Sequence, residues 1–303
     1  MSRIARVIDD ATLARVWTRL SRALAPPARP YFGLRVDGAV AGWVSPERAL
    51  RLALFADVFA VTGESVSFVP GLGEAQRRSE ALARVTAQLA SEGALTAWRN
   101  ELYAVAPAWG VPSWFVLERA AARYFGVHTF AAHVNGLVHA TVEKGHAISM
   151  WLARRSATKA IDPGMLDNLV GGGIAAGATV AHTVVKEAWE EAGIPASLAA
   201  TAQPAGELHI RREQPDGLQW ETIFTHDLML PASFTPANQD GEAVAHRRVT
   251  LPEVARLIAL DRDPDEVTAD ASLVAVDCLL RHRAVAADSP WFGRLSALRQ
   301  PDA

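Results

Sequence analysis

The sequence predicts an α/β protein in two parts: an α/β/α layered domain over residues 126–303, preceded by a smaller α+β domain over residues 1–125. Three observations support this fold class. Short strand-like and helix-like stretches alternate in the first part, long stretches of alternating apolar residues follow it, and helical patterns lie between and after those stretches. Because helices must then cover both faces of a sheet, the second part is expected to be a sandwich around a mixed sheet.

The first part contains clear turn and helix signals. Asp37-Gly38 is a typical hairpin turn between two strands, and Ser45 before a proline marks a helix start. The other predicted elements are a helix over 13–24, a strand–turn–strand unit over 58–71, and helices over 74–93 and 116–126. Residues 99–101 form a polar Arg-Asn-Glu stretch that a solvated loop explains as well as a binding site would. Two roles stay open for this domain: part of the substrate pocket, or the interface of a homodimer.

The second part begins with residues 128–144, whose alternation around Asn135-Gly136 predicts a hairpin with its turn at those two residues. A glycine-rich loop over residues 167–177 leads into an amphipathic helix. The remaining predicted elements are strands over 148–156, 204–213 and 218–230, a turn over 214–217, and helices over 250–258 and 269–283.

Composition excludes several classes of protein. The formal net charge of −3 provides no overall basic field for nucleic acid or an anionic membrane. The apolar stretches are too short or too interrupted to span a bilayer, and residues 1–17 lack the apolar core of a signal peptide. The single cysteine, Cys278, excludes an intramolecular disulfide and is expected to be a buried thiol. A cytoplasmic location follows by default.

Three glutamates on the amphipathic helix are the first candidate site. Glu187, Glu190 and Glu191 lie at i, i+3 and i+4 beside an apolar stripe, so their carboxylates cluster and repel. Lys186 can pair with Glu190 and relieves part of this repulsion. A hard divalent cation, Mg²⁺ or Mn²⁺, would relieve the rest, whereas a solvated acidic face is the simpler alternative. The preceding glycines favour the metal, because their backbone can approach an anion closely.

Residues 172–194, "GGIAAGATVAHTVVKEAWEEAGI", resemble the Nudix box, G-x5-E-x7-R-E-U-x-E-E-x-G-U, without a gap. Gly172 matches its first glycine, and Gly193 and Ile194 match its closing pair. By this resemblance Glu187, Glu190 and Glu191 are the metal ligands, with Glu190 and Glu191 innermost and catalytic. The fold implied is the Nudix α/β/α sandwich, and the activity implied is metal-dependent hydrolysis of a diphosphate.

Three box positions differ from the family pattern. Ala178 replaces the first glutamate, Lys186 replaces the arginine, and Ala188 replaces an aliphatic residue. In the family that glutamate and arginine usually form a salt bridge that braces the loop against the helix. Losing both standard partners together is expected to be mild, since Lys186 can still pair locally. The change is therefore expected to affect loop rigidity more than metal binding.

Stretches beyond the box resemble one Nudix subgroup, which is similar to the Nudix part of a fungal thiamine pyrophosphokinase and carries a domain of unknown function before the Nudix fold. This resemblance implies hydrolysis of thiamine diphosphate or its damaged oxo and oxy forms, to the monophosphate and phosphate. Two alternatives remain open: hydrolysis of ADP-ribose-like or other nucleoside diphosphate derivatives, and a Nudix-fold binding or sensor protein with little activity.

Further candidate residues surround the box. Family members often add a carboxylate from a later loop, and Glu242 is in a matching position, as a general base or as an exposed glutamate. Candidate phosphate-binding residues are Arg154, Arg155 and Lys159, whose alternative is a solvated basic turn, together with the backbone of Gly172 and Gly173. Candidates for stacking on a heteroaromatic ring are Trp151, Trp220 and Phe224, although aromatic residues on strands are more often part of the core.

Overall fold

A computed structural model describes residues 8–142 and 145–299, without the side chains of residues 140–142 and 145–147. Residues 1–7, on which the absence of a signal peptide partly rests, lie outside the described residues. Within the described part of the chain, no helix combines the length and the apolar character needed to cross a membrane.

The chain begins with helix α1 (Asp10–Ala23), whose N-cap residue Asp9 accepts a hydrogen bond from Thr12 N at 2.8 Å. A mixed sheet follows, in the order β2-β1-β4-β3, with β1 and β4 parallel. Its strands are β1 (Phe32–Val36), β2 (Ala39–Val44), β3 (Phe59–Thr62) and β4 (Ser65–Phe68). The hairpin predicted at Asp37-Gly38 is confirmed, because both residues have positive φ, as a tight two-residue turn between β1 and β2 requires.

Helices and a further antiparallel strand pair complete the N-terminal core. They are α2 (Pro46–Leu52), α3 (Ala75–Ser91), β5 (Leu102–Val105), β6 (Phe115–Glu118) and α4 (Ala122–Phe125). The helix predicted over 116–126 is wrong in its first part, where β6 pairs with β5 instead. Phe115 and Leu117 are buried in the core of this domain, and that packing outweighs the local helical preference.

The second part is built on a mixed sheet in the order β11-β12-β7-β8-β13, with β10 paired to β7 and β9 paired to β8. Strands β12 and β7 are parallel, and the other pairs are antiparallel. The strands are β7 (His128–Val142), β8 (Gly145–Arg155), β9 (Leu166–Asn168), β10 (Val170–Gly173), β11 (Gln203–Gln214), β12 (Gly217–Met229) and β13 (Ala243–Thr250).

The turn predicted at Asn135-Gly136 is wrong, because both residues lie inside the continuous strand β7. A Cβ on Gly136 would lie 2.1 Å from Leu169 Cδ2, so a glycine is needed there for packing. Asn135 is buried, and its Nδ2 donates to Asp227 at 3.0 Å. Tertiary packing therefore selects both residues of this pair, and β7 pairs with β8 from Gly136 to Val142.

Helices cover both faces of this sheet, so the predicted α/β/α sandwich is confirmed. Helices α5 (Val180–Ala192) and α6 (Ala196–Ala199) cover one face, where Val184, Ala188 and Ala192 join the core. On the opposite side lie α7 (Leu251–Ile258), α8 (Ala269–Arg281) and α9 (Pro290–Ala297).

Helix α1 packs with this C-terminal helical layer and shares its hydrophobic core, although residues 1–125 were predicted to form a separate domain. Arg19 is buried there, and its guanidinium pairs with Glu266 at 2.7 Å and donates to Ile258 O and Ser272 Oγ, both at 3.1 Å. The first helix is thus joined to the last third of the chain by long-range contacts that no local pattern reveals.

Candidate active site

The acidic helix α5 has a well-defined start and end. Thr179 caps its N-terminus by accepting a hydrogen bond from His182 N at 3.1 Å, and Gly193 ends it in the left-handed region with φ of 63°. Its last carbonyls are satisfied by a later loop, because Gln239 N donates to Glu190 O at 2.8 Å and Ala237 N to Ala192 O at 3.0 Å. These contacts hold the loop that carries Glu242 against the helix.

The three glutamates occupy different environments on α5. Glu191 is buried, and its Oε2 accepts a hydrogen bond from Gly171 N at 2.9 Å. Glu187 packs against Gly172, and Glu190 is about one-third exposed. The helix therefore lies directly over strand β10, with Glu187 and Glu191 against its glycines.

The glycine run 171–173 was predicted to form part of a loop, and this prediction is wrong. The three glycines belong to strand β10. A Cβ at Gly172 would lie 2.6 Å from Glu187 Cδ, and one at Gly173 would lie 1.8 Å from Tyr103 Oη. Glycine is required here because Glu187 and Tyr103 of the N-terminal domain both contact the strand. All three glycines also line a cavity, so the backbone of Gly172 and Gly173 is within reach of a ligand.

Lys186 takes a different partner from the one that its position in the box suggests. Its Nζ contacts Glu187 Oε1 at 2.9 Å and Glu190 Oε2 at 2.5 Å. With Ala178 in place of the box glutamate, the loop before α5 is braced by the N-terminal domain, because Ala176 N donates to Leu102 O of β5 at 2.7 Å. An interdomain backbone hydrogen bond thus braces the loop that, by the family resemblance, a salt bridge would brace.

The carboxyls of α5 suit a hard divalent cation. Burial raises the pKa of Glu191 to about 8, against the hydrogen bond from Gly171. Burial also raises the pKa of Glu187, against the hydrogen bond from Lys186. A bound Mg²⁺ or Mn²⁺ would supply the positive charge that these buried groups need in order to ionise, so the donor set fits. Lys186 lies between Glu187 and Glu190, so an ion bound by both carboxylates would replace its two ion pairs.

Among the described residues, one trio brings metal-ligand atoms within 4.8 Å of one another, and it is Asp227, Cys278 and His282, not the α5 glutamates. The Arg281 guanidinium pairs with Asp227 at 3.0 Å, and His282 Nε2 contacts the same carboxylate at 2.8 Å. Burial raises the pKa of the Cys278 thiol, in line with the inert cysteine that was predicted. We interpret this trio as an ion-pair cluster of the fold, because Asp227 already has a cation as its partner.

A cavity of about 430 Å³ lies between the two domains, beside the glycines of β10. Its lining includes cationic side chains from both domains, which are Arg99, Arg119, Arg123, Arg155 and Lys159. Burial lowers the pKa of Lys159, and Arg155, Arg119 and Arg99 lower it further, whereas the charge of Glu191 raises it. The cations are therefore close to one another and to the acidic helix. A second, more open depression of about 560 Å³ beside Trp151 has neither lysine nor arginine in its lining.

The two neighbouring arginines of strand β8 point in different directions. Arg154 does not line the cavity and pairs with Asp265, while its Nη1 donates to Gly164 O at 2.8 Å. Arg154 is therefore not positioned for the phosphate binding that was predicted for it. Arg155 lines the cavity, but its Nη1 pairs with Asp167 at 2.6 Å and its Nε and Nη2 donate to Ile161 O at 3.2 and 2.8 Å. Most of its donors hold the following loop.

Glu242 lies between cations of the two domains. It pairs with Lys159, and its Oε1 is 3.3 Å from Arg99 Nη1. The sequence left Arg99 open as part of a binding site or of a solvated loop and did not indicate Arg119 or Tyr103. No local pattern distinguishes these three residues from solvated ones. Of the predicted aromatic residues, Trp220 lines the cavity and stacks on His128 at 4.6 Å, whereas Phe224 packs against Trp109.

An α/β/α sandwich whose sheet carries a glycine strand under an acidic helix defines a domain of the Nudix class. Comparison with known proteins agrees: a sequence profile described as a NUDIX domain matches residues 133–271, and one described as a domain of unknown function (DUF4743) matches residues 25–129.

Three known proteins are similar to this chain over more than half of its length. Nudix hydrolase 24, chloroplastic, of Arabidopsis thaliana is 34% identical over 259 residues, which are 85% of this chain and 69% of that protein. Nudix hydrolase 20, chloroplastic, of the same plant is 33% identical over 266 residues, with the same coverage of each chain. The uncharacterized protein YJR142W of Saccharomyces cerevisiae is 32% identical over 198 residues, 61% of this chain and 55% of that protein. The chain belongs to the Nudix hydrolase family and is a hydrolase that acts on diphosphate bonds.

Proposed function

We propose that the chain is a divalent-metal-dependent diphosphohydrolase that converts thiamine diphosphate, or its oxo and oxy analogues, to the monophosphate and phosphate. The observation that carries this proposal is one cavity that has cations beside the acidic helix and also contains carboxylates and an indole ring. A diphosphate joined to a positively charged heteroaromatic ring matches both sets of groups.

Glu187, Glu190 and Glu191 are the residues that would hold Mg²⁺ or Mn²⁺. The bound ion would neutralise charge on the diphosphate oxygens and orient the attacking water. Lys159 is placed to bind a phosphate oxygen as a point charge, because it lines the cavity close to Glu191. Gly171, Gly172 and Gly173 of the glycine strand line the same cavity.

Glu242 is the proposed general base. In the free protein its carboxylate is held by Lys159 and Arg99. When a phosphate takes over those two cations, the carboxylate is released and can accept a proton from water. A positioned base of this kind contributes about 10²–10⁴ in rate.

The organic part of the substrate is assigned to Asp162, Trp220 and Glu221, which line the cavity. In the described part of the chain neither Asp162 nor Glu221 has an ion-pair partner within 4.0 Å. Burial raises the pKa of Asp162, and the nearby carboxylate of Asp270 raises it further. A cationic thiazolium ring would stabilise these carboxylates in their ionised form, and Trp220 offers a face for stacking.

Turnover over a panel of diphosphates tests this function. We expect Mg²⁺-dependent release of phosphate from thiamine diphosphate and its oxo and oxy analogues by the wild type, and loss of at least two orders of magnitude in kcat for Glu190→Gln, because a metal ligand is removed. Glu80→Gln, on an exposed face of α3, is the matched control. Glu221→Gln is expected to raise KM for thiamine diphosphate and to leave ADP-ribose unaffected.

Other outcomes separate the alternatives. Preference for ADP-ribose or another nucleoside diphosphate derivative would replace the substrate. Absence of turnover on every compound would favour a binding or sensor protein, and equal turnover by Glu190→Gln would contradict the metal-site assignment.

A further inference from the structure

We propose that the N-terminal domain supplies two phosphate-binding residues, Arg99 and Arg119, so that the diphosphate is bound between the two domains. This inference rests on the diphosphate being bound in the interdomain cavity under the proposed function. It assigns a substrate-binding role to a region that matches a profile described as a domain of unknown function.

The Nudix domain by itself offers few available cations for a diphosphate. Arg154 pairs with Asp265 outside the cavity, and Arg155 uses its Nε, Nη1 and Nη2 for Ile161 O and Asp167. Within the described residues, this leaves Lys159 as the Nudix-domain cation placed next to Glu191. A diphosphate carries more than one negative charge, and charge-assisted hydrogen bonds from arginine are the usual complement.

Arg119 is held beside the metal-site end of the cavity. Its Nη1 pairs with Glu101 at 2.7 Å, and its guanidinium lies 5.7 Å from the centre of the Tyr103 ring, whose hydroxyl contacts Gly173. It is close enough to Glu187 to affect that carboxyl: burial raises the pKa of Glu187, and Lys186 and then Arg119 oppose the rise. The side chain is 41% exposed, so its other N–H groups can reach a ligand.

Arg99 already binds an anion at this place. The Glu242 carboxylate lies 3.3 Å from Arg99 Nη1 and also pairs with Lys159, so one anion is bound by a cation from each domain. The backbone of Arg99 is fixed as well, because Arg99 N donates to the buried Glu118 carboxylate at 3.0 Å. A phosphate oxygen can exchange with Glu242 without reorganising the chain.

The two domains are also joined at the site itself. Ala176 N, in the loop before the acidic helix, donates to Leu102 O at 2.7 Å, three residues from Arg99 in the sequence. Tyr103, the next residue, packs on the glycine strand. The arginines are therefore held in a fixed relation to the metal-site glutamates, as a catalytic site requires.

Binding of inorganic pyrophosphate to the full chain, measured by calorimetry without divalent metal, tests the inference. We expect Arg99→Gln and Arg119→Gln each to weaken binding by roughly 10- to 100-fold, the effect of losing one charge-assisted hydrogen bond. Arg84→Gln is the matched control, since Arg84 is exposed, pairs with Asp57 and is absent from the cavity lining. Arg119→Lys is expected to be intermediate, which separates charge from bidentate geometry.

Two further measurements keep the result interpretable. Thermal melting identifies a variant that fails to fold. If Arg119→Gln fails to fold, the pyrophosphate affinity of Arg119→Lys tests the role of Arg119. Mn²⁺ binding is expected to be retained in Arg99→Gln, because Arg99 does not contact the glutamates of α5. The inference is overturned if both glutamine variants bind pyrophosphate as tightly as the wild type, if Arg84→Gln weakens binding equally, or if the wild type does not bind it.

Failure of the proposed function gives a different result. If the wild type leaves thiamine diphosphate intact while pyrophosphate binding still depends on Arg99 and Arg119, the substrate is wrong and the interdomain phosphate site stands.

Discussion

Lys186 and Glu191 show how single side chains set the charge of the site. Lys186 contacts Glu187 and Glu190 together, so a lysine cation lies among two of the carboxylates of α5. Glu191 is buried without such a contact, and its pKa is raised to about 8 by desolvation. Burial therefore disfavours the charged form of Glu191.

The raised pKa of Glu191 predicts a pH-dependent stability of the metal-free protein. Between about pH 4.5 and pH 8 the unfolded chain loses this proton while the folded chain keeps it, so the free energy of unfolding falls as pH rises. We expect Glu191→Gln to flatten this slope, and excess Mg²⁺ to restore wild-type stability at pH 8. Urea unfolding in EDTA at several pH values measures it, with Glu80→Gln as the control.

Equal slopes for the wild type and Glu191→Gln would contradict that expectation. Glu187, whose pKa burial also raises, contributes in the same direction, so the difference between variants is the informative quantity.

At the scale of an element, the glycines of strand β10 have a structural role different from the predicted one. The glycines were predicted to form a loop that approaches a ligand. They instead form a strand that leaves room for Glu187 on one residue and for Tyr103 on the next. Neither contact is visible locally, because Tyr103 lies about 70 residues earlier in the chain and belongs to the other domain.

Gly173→Ala is expected to destabilise the protein by about 1–3 kcal/mol, the usual cost of overpacking. A Cβ there would lie 1.8 Å from Tyr103 Oη and would push the N-terminal domain away from the site, so kcat/KM should fall as well. Gly73→Ala is the control, because it has φ of −69° and no atom within 4 Å of the added Cβ. Chemical denaturation compares the two, and equal stabilities would show that Tyr103 moves aside freely.

At the scale of the whole molecule, the chain returns on itself. Helix α1 leaves the N-terminal domain and packs with the C-terminal helices, so both ends of the described chain meet in one core. The N-terminal part of the chain thus contacts the Nudix domain at two places. One is the packing of α1 on the C-terminal helices, and the other is the contact of β5 with the loop before α5, beside the cavity. This arrangement fixes the position of the domain that carries Arg99 and Arg119.

Arg19→Ala is expected to lower the free energy of unfolding by about 3–5 kcal/mol, because removing one partner of a buried ion pair leaves Glu266 without its cation. Arg15→Ala, on the exposed face of the same helix, is the control. Activity well below the unfolding transition should be retained, since Arg19 is outside the cavity lining. Urea denaturation measures the effect, and a loss equal to that of Arg15→Ala would show that α1 is not held by this pair.

Homodimer formation and cytoplasmic location stay predictions. Neither the fold nor the geometry of the site bears on them.

The sequence by itself determined the acidic helix and the fold class. Glu187, Glu190 and Glu191 cluster because helical geometry brings residues three and four apart together, and sheet and helix patterns depend on equally local periods. Only the tertiary structure decided which cations line the cavity. Arg154 and Arg155 are adjacent in sequence but face different surroundings, Asn135-Gly136 lies inside a strand, and Arg99 and Arg119 reach the cavity from another domain. These outcomes depend on strand register and on packing between distant segments. Contacts of this kind produce no local sequence pattern from which they could be predicted.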